Sequence, residues 1–364
     1  MQRLLITMTV VVLVVAALAA GALAAHWPFW HRAWHWQTAP GGWPDSLPGP
    51  TVRLAAGETF LRLSVASDAR LAARVPSGTQ LLMAADGDGK VAAWFAPGYS
   101  EQSVIDGRGL AAGLAAPLLW TLGDASLLDA PLRNRIPGWE QNPRGAITAR
   151  QLLWQLSGLA AGAFTPLNPW SRRAQLASGP DFARAARHTR LEFPPGTHFE
   201  ESPANTQLLA MLMEQVSGAS YAAVLEQQLW SRFAAHEAMA VLDHRRGNMA
   251  AHCCIRAAAA DWLRLGLLLA TDGQSGPLRL LPEGAVTGMA QSSPVHPGYG
   301  QGYRLGEAGT GIRTLVLDTE GRRLAVAPQS RRAVLWVGTG SAPAWLDELL
   351  VPESFRLGDS RATE

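Results

Sequence analysis

The chain of 364 residues contains one lysine, Lys90, and its other 30 strongly basic residues are arginines. Gly87 stands three positions before Lys90, so no serine precedes a lysine by one helical turn. A serine hydroxyl needs a nearby base to become a good nucleophile, and arginine cannot serve because its guanidinium stays protonated in proteins. The sequence therefore excludes a nucleophilic serine activated by a lysine three residues further on.

Cysteine is almost as scarce, because the chain has only the adjacent residues Cys253 and Cys254. Neighbouring cysteines rarely satisfy disulfide geometry without strain, so the sequence predicts no disulfide framework. His252 precedes them, but the usual pairs of zinc ligands are spaced by two or more residues. We therefore predict no metal site.

The sequence also lacks the features of cofactor-binding and nucleic-acid-binding proteins. Residues 302–311 contain four glycines but have no strand–loop–helix setting, which a phosphate loop requires. The formal net charge is only +2, which is too low for a nucleic-acid footprint. We predict no cofactor and no nucleic-acid partner, while the apolar content of 48% indicates a globular body.

The beginning of the chain is strongly apolar, since residues 4–25 carry no charge. The apolar core of a signal peptide has about 7–15 residues, whereas a membrane-spanning helix needs about 20. We therefore interpret residues 1–25 as a signal-anchor or transmembrane segment. Small residues around Gly21 also allow cleavage by signal peptidase, in which case the protein would be secreted.

Residues 26–50 combine an aromatic cluster with a stretch rich in proline and glycine from about residue 38 onward. Indole rings favour the headgroup region of a bilayer, so we interpret this part as a tryptophan-rich collar followed by a linker. The prediction is a domain anchored to the inner membrane and held on its periplasmic, extracytoplasmic side. The alternative is that the aromatic residues pack on the globular domain. They are Trp27, Phe29, Trp30, Trp34 and Trp36.

The remaining chain shows strand patterns at both ends and helical patterns between them. Residues 81–85 and 91–95 flank an Asp-Gly-Asp-Gly turn, which predicts a β-hairpin. Strand-like runs return at 314–317, 323–327 and 333–337, while helical spacing dominates the middle. We predict an α/β (α+β) domain over residues 51–345, with an antiparallel sheet from 51–100 and 300–345. The helical region would be inserted at 101–299, and residues 346–364 would form a C-terminal tail.

Six phrases occur in a characteristic order between about residues 75 and 340. They are 95–99 (FAPGY), 128–131 (LDAP), 147–159 (ITARQLLWQLSGL), 194–199 (PPGTHF), 205–209 (NTQLL) and 261–266 (DWLRLG). Together they resemble the β-lactamase-related serine hydrolases, in particular the branch of 6-aminohexanoate-dimer hydrolases and related esterases. The resemblance implies the β-lactamase/transpeptidase-like fold and a cleft in which a serine attacks ester or amide bonds.

The same resemblance locates the nucleophile of the family shortly before the LDAP phrase. The segment from Ser103 to Asp106 (SVID) matches the serine and valine of Ser-Val-x-Lys, with Asp106 in the lysine position. Counting back from Pro131 favours instead a start near Gly107, with Leu110 in the lysine position. We prefer the first register for its matching residues, and neither register supplies a lysine.

Two further elements of the family's catalytic region are altered. The catalytic tyrosine position, two residues after Phe199, holds Glu201. The family's Gly-x-x-Gly-Gln phrase reads from Asp318 to Arg322 (DTEGR), in which only Gly321 survives. The resemblance therefore implies vestigial catalytic positions at Ser103, Asp106 and Glu201, and pocket candidates at Ser103, Glu201, Asp318 and Gly321.

Three hypotheses of function follow from these changes. The preferred one is a membrane-anchored pseudoenzyme that binds an unknown small ligand or protein partner in the old cleft. The second is an active esterase or amidase that uses Ser103 with a carboxylate base, either Asp106 or Glu201. The third is a non-catalytic scaffold subunit.

Overall fold

A computed structural model describes residues 2–25, 27–39, 47–123, 125–309 and 311–353. Its helices are α1 (Gln2–Ala25), α2 (Trp27–Thr38), α3 (Ala69–Ala72), α4 (Ala115–Thr121), α5 (Ala149–Leu153), α6 (Arg172–Ser178), α7 (Phe182–Arg187), α8 (Pro203–Ser217), α9 (Tyr221–Leu225), α10 (Ser231–Phe233), α11 (Ala259–Ala270) and α12 (Ala285–Met289). The middle of the chain is mainly helical, as its periodicity predicts. The predicted linker residues 40–46 and tail residues 354–364 lie outside the described residues.

The central sheet has seven strands, and both halves of the domain contribute to it. Its strands in spatial order are β10 (Arg304–Ala308), β11 (Ile312–Thr319), β12 (Arg322–Ala327), β13 (Arg332–Gly338), β3 (Thr79–Asp86), β4 (Lys90–Phe95) and β2 (Ser64–Ser67). Every neighbouring pair is antiparallel except β2 and β4, which run parallel. The predicted hairpin and the sheet built from both chain ends are therefore confirmed.

A second sheet, which the sequence did not predict, takes three of its four strands from the part of the chain that was expected to be helical. Its order is β1 (Thr51–Leu54), β6 (Ala238–Val241), β7 (Ile255–Ala258) and β5 (Val104–Asp106). A short hairpin of β8 (Gln274–Ser275) and β9 (Leu278–Arg279) stands apart from both sheets. Thus β1, which was expected in the main sheet, pairs with β6 instead.

The two faces of the central sheet are covered by different helices. Helix α11 packs on one face, where a side chain at Gly266 would press against Leu324 and Ala333. A 3₁₀ helix at Ala344–Leu350 covers the other face and buries Leu346, Leu349 and Leu350. Residues 346–350, which were assigned to a tail, are therefore part of the packed domain.

The segment that precedes α4 is a 3₁₀ helix at Arg108–Leu114, called here the cleft helix. A side chain at Gly107 would collide with Trp262, and one at Gly113 would collide with Leu317. These glycines let the segment approach α11 and β11 closely. Pro117 lies in the first turn of α4, where the missing N–H is tolerated.

The aromatic collar forms α2, and one face of this helix is buried. Phe29, Ala33 and Trp36 are 5% exposed or less, whereas Trp27 and Trp34 are 61% and 60% exposed. α2 packs against α6. The alternative that the aromatic residues pack on the globular domain therefore holds for one side of α2. On the other side, the indole rings of Trp27 and Trp34 are exposed to solvent.

No single helix among the described residues has both the length and the hydropathy of a membrane span. Met8–Gly21 of α1 is an apolar helical stretch below that length, and Pro203–Ser217 with Tyr221–Phe233 reaches that hydropathy only as a pair bent by 81°. Large side chains of α1, such as Leu13 and Leu18, are more than half exposed.

Candidate functional site

A cleft of about 360 Å³ opens between the cleft helix, the end of β11 and the segments around α2 and α6. Gly109 and Ala112 of the cleft helix line it, together with Asp318 and Thr319 at the end of β11. Its volume is within the range that small-molecule sites occupy. We therefore take this cleft as the candidate functional site.

Gly109 and Ala112 have the spacing that a serine and a lysine one helical turn apart would need. In a 3₁₀ helix, side chains three residues apart point in the same direction. A Cβ atom at Gly109 would lie 3.2 Å from the Cβ atom of Thr319, at the wall of the cleft. The two positions of the cleft helix that face the cleft therefore carry neither a hydroxyl nor an amine.

Ser103 and Asp106 do not line the cleft, which corrects the preferred register. Ser103 precedes β5, and its Oγ accepts a hydrogen bond from the Ser100 N–H at 2.8 Å. Because the helix begins after Gly107, the second register was nearer to the observed helix start. Gly109 and Ala112, two residues beyond that register, are the positions that face the cleft.

The Asp106 carboxyl is hydrogen-bonded to the backbone at the start of the cleft helix. It is 6% exposed, and its Oδ1 accepts a hydrogen bond from the Arg108 N–H at 2.7 Å. Burial raises the pKa of Asp106 from 3.8 to about 6, against the lowering effect of that hydrogen bond and of the Arg322 charge. Asp106 therefore stabilises the junction between β5 and the cleft helix and does not face a ligand in the cleft.

Glu201, in the tyrosine position of the family, does line the cleft. Its Oε2 accepts a hydrogen bond from Nη2 of Arg304 at 2.5 Å. Both side chains are about half exposed, so the ion pair contributes roughly 0–1 kcal/mol of stability. The pair places one negative and one positive group side by side at the cleft.

Tyr299 also lines the cleft, so a phenol is present although the tyrosine position holds glutamate. Burial, followed by the Glu201 charge, raises the pKa of Tyr299 far above its ordinary value, although Arg304 and the Gln155 side chain act in the opposite direction. The phenol therefore stays protonated at neutral pH and is unsuited to take a proton from a hydroxyl.

Gln155 organises this end of the cleft. Its Oε1 accepts hydrogen bonds from the Asn205 side chain at 2.6 Å and from the Ser202 N–H at 3.0 Å. Its backbone has a φ of +58°, which L residues rarely adopt. The hydrogen bonds that hold this conformation also fix the start of α8, which Ser202 caps by accepting from the Ala204 N–H.

Of the two remaining pocket candidates, Asp318 lines the cleft and Gly321 does not. The Oδ2 of Asp318 accepts a hydrogen bond from Nη1 of Arg323 at 2.8 Å. Gly321 lies in the β11–β12 turn with a φ of +74°, and a side chain there would press against the Gly338 carbonyl. The positive φ of this turn explains why the position is occupied by glycine. Gly321 is therefore a turn residue and not a pocket residue, which corrects the prediction.

The wall opposite the cleft helix is aromatic and contains a disulfide. Cys253 and Cys254 are joined to each other, which corrects the prediction of no disulfide, and Cys253 lines the cleft. Cys254 has a φ of +70°, a local conformation that the sequence does not specify. Trp36 and Phe164 complete this wall, with their rings 5.3 Å apart.

Arg173 and His252 stand at the polar side of the same wall. The Nη1 of Arg173 donates to the Gly162 carbonyl at 3.0 Å, and the buried Nδ1 of His252 has no hydrogen-bond partner in the described part of the chain. Burial, followed by the Arg173 charge, lowers the pKa of His252 to about 4, so its ring is neutral at neutral pH. Within the described ranges, no group of three His, Cys, Asp or Glu residues is arranged to hold a metal ion.

Sequence reasoning missed several residues of this site, namely Trp36, Gln155, Arg173, Tyr299 and Arg304. They come from separate parts of the chain, and no local pattern connects them. The whole chain contains only four tyrosines, and this scarcity is the one feature of the sequence that could have marked Tyr299 as a candidate site residue.

The fold and the cleft define a protein of the serine-hydrolase type with a sheet covered by helices. The model of the β-lactamase family matches residues 111–347, about two thirds of the sequence. The chain therefore belongs to the β-lactamase family. No curated protein is significantly similar to the sequence.

Solved structures share the fold at low sequence identity. A candidate 6-aminohexanoate-dimer hydrolase from Bacillus anthracis superposes with a TM-score of 0.68 at 17% identity, over 84% of this chain and 89% of the other. A penicillin-binding protein from Bacillus halodurans has a TM-score of 0.58 at 16% identity, over 76% and 97% of the two chains. EstCE1, a hydrolase with promiscuous acyltransferase activity, gives 0.56 at 16% identity, over 76% and 93%.

Proposed function

We propose that the protein is a catalytically degenerate member of the β-lactamase family that binds a small ligand in its cleft without hydrolysing it. The observation that carries this proposal is the pair Gly109 and Ala112, which line the cleft at the spacing of a nucleophile and its base. Without a hydroxyl and an amine there, the first step of acyl transfer has no reacting group.

The other groups in the cleft do not replace the missing pair. The Oγ of Ser202 caps α8, and Thr206 is only 6% exposed. Tyr299 stays protonated, and Arg173 and Arg304 cannot accept a proton. The Glu201 carboxylate is engaged by Arg304 and is hydrogen-bonded to no hydroxyl among the described residues.

The alternative of an active hydrolase that uses Ser103 with Asp106 or Glu201 has little geometric support. Ser103 lies outside the cleft in which Glu201 stands, and Asp106 is buried against the backbone. A scaffold without a ligand is less well supported than a binder, because the cleft is open and lined by polar and aromatic groups.

We also propose that α1 anchors the protein in the inner membrane, with the domain on the extracytoplasmic side. The exposed apolar side chains from Met8 to Gly21 support this placement, and Trp27 and Trp34 would lie at the interface that indole rings favour. Secretion after cleavage of the leader is the competing outcome.

The test uses a fluorophosphonate probe and a panel of short-chain esters and amides on the purified full chain. We expect neither covalent labelling nor turnover above the buffer rate, whereas an active esterase of the family is labelled in parallel. Turnover that disappears in Ser103→Ala would overturn the proposal in favour of the active hydrolase.

A further inference from the structure

One wall of the cleft includes a residue from outside the matched family domain. Trp36 belongs to α2, whereas the family match begins at residue 111. Its indole is 5% exposed and donates through Nε1 to the Ala177 carbonyl at 3.4 Å. The N-terminal helix thus adds an indole ring to a wall whose other residues, among them Phe164 and Cys253, lie within the match.

This wall offers a continuous apolar surface. The Phe164 ring meets Trp36 edge to face at 5.3 Å, and Ala177 and Cys253 lie beside them. Aromatic rings and polarisable sulfur atoms favour contacts with planar or aliphatic groups. The surface is therefore suited to the apolar part of a ligand.

The polar end of the same wall is suited to an oxyanion. Arg173 has no carboxylate partner among the described residues, whereas Arg304 is paired with Glu201. The nearby Nδ1 of His252 is buried and has no hydrogen-bond partner within the described ranges, which is costly unless another group satisfies it. An oxygen placed between Arg173 and His252 would receive a charge-assisted hydrogen bond and one from the imidazole N–H.

We propose that the cleft binds a small amphipathic oxyanion, with its apolar part against Trp36 and Phe164 and its anionic group on Arg173 and His252. This inference rests on the proposed non-catalytic function and adds the chemical class of the ligand. A carboxylate and a phosphate monoester are the two sources of the anionic group.

The experiment is calorimetric titration of the full chain in a neutral detergent with water-soluble probes. We expect 4-phenylbutyrate or 2-phenylethyl phosphate to bind roughly tenfold more tightly than the uncharged 4-phenylbutanol. The anion that binds more tightly identifies the source. Arg173→Gln should abolish the preference for the anion, whereas Arg172→Gln, at the exposed neighbouring position, should retain it.

The apolar subsite has its own pair of variants. Phe164→Ala should weaken the binding of charged and uncharged probes alike, by roughly tenfold. Trp170→Ala removes an aromatic side chain of the same loop that is 86% exposed and should have no effect. Because Phe164 is only half-buried, its truncation tests the subsite even if variants of the buried Trp36 do not fold.

Equal affinity for the alcohol and the anions overturns the inference, and so does the absence of binding by all three probes. Loss of the anion preference in Arg304→Gln but not in Arg173→Gln also overturns it, because the anion would then lie at the opposite wall. These results leave the non-catalytic function standing. Covalent labelling or turnover would instead overturn that function, whichever probes bind.

Discussion

Gly109 and Ala112 lie three residues apart on the cleft helix, and both line the cleft. We expect the double variant Gly109→Ser, Ala112→Lys to be labelled slowly by a fluorophosphonate, and neither single variant to be labelled. The reason is that a serine here needs the amine beside it as a base. Intact-protein mass spectrometry measures the adduct.

Turnover by the same double variant should stay absent, because Glu201 with Arg304 still occupies the tyrosine position. Labelling of Gly109→Ser alone, or none in the double variant, would show that these positions are not the ancestral pair. Ester hydrolysis by the double variant would show that the loss of function is confined to two residues.

Replacement of Asp106 by lysine should unfold or strongly destabilise the protein and give no activity. The side chain is buried near Arg108, Arg256 and Arg322, and an uncompensated buried charge costs about 3–5 kcal/mol. Thermal unfolding measures the effect. A stable variant, or one with esterase activity, would contradict the position that the structure gives to Asp106.

Asp106→Asn is the matched control, and it also predicts a pH dependence. Because the pKa of Asp106 is raised in the folded state from 3.8 to about 6, the folded state retains the proton more strongly. Its favourable contribution is therefore complete below pH 4 and is lost as the pH rises through 6. Relative to Asp106→Asn, the wild type should lose up to about 3 kcal/mol between pH 4 and 7. Chemical denaturation at several pH values checks this.

The contribution of His252 to stability should depend on pH in the opposite sense to that of Asp106. Its folded-state pKa is lowered from 6.5 to about 4, so the unfolded chain takes up the proton first as the pH falls. The stability that is present above pH 6.5 should therefore decline toward pH 4, by up to about 3 kcal/mol relative to His252→Gln. If the stability of the wild type and of His252→Gln changes with pH in the same way, the His252 ring is solvated or paired and this expectation is wrong.

Deletion of residues 2–25 tests the proposed anchor. We expect the full chain to fractionate with membranes and to require detergent for extraction, and the deletion variant to be soluble with an unchanged unfolding transition. Replacement of the exposed Trp170 by alanine is the control, because it removes an indole outside residues 1–50 and leaves the apolar helix intact. Recovery of the full chain in the salt-washed soluble fraction would contradict the anchor.

Most of the central sheet was predictable from local patterns. The hairpin of β3 and β4 follows from short apolar runs on either side of the Asp-Gly turns, and β11 to β13 contain similar short apolar runs. Helices α8 and α11 are recognisable from their apolar spacing. These elements are specified by residues close in sequence, which is why periodicity identifies them.

The candidate site was predictable only in part. Glu201 and Asp318 line the cleft, and both could be located in the sequence because Glu201 follows the 194–199 phrase and Asp318 begins the 318–322 phrase. Ser103 was preferred for its resemblance to a motif, although spacing from the LDAP phrase agreed better with the helix start after Gly107. The wall with Trp36 depends on how α2 packs, which no pattern within the helix encodes.

The buried guanidinium of Arg32 has a consequence for maturation. It donates to the carbonyls of Pro48, Gly179 and Leu242 at 3.0, 3.2 and 2.6 Å. If a signal peptidase acts on the precursor, cleavage before Trp27 keeps Arg32 and its three hydrogen bonds in the mature protein. A cut beyond Thr38 would leave those three oxygens without their donor and strip the indole from the binding wall.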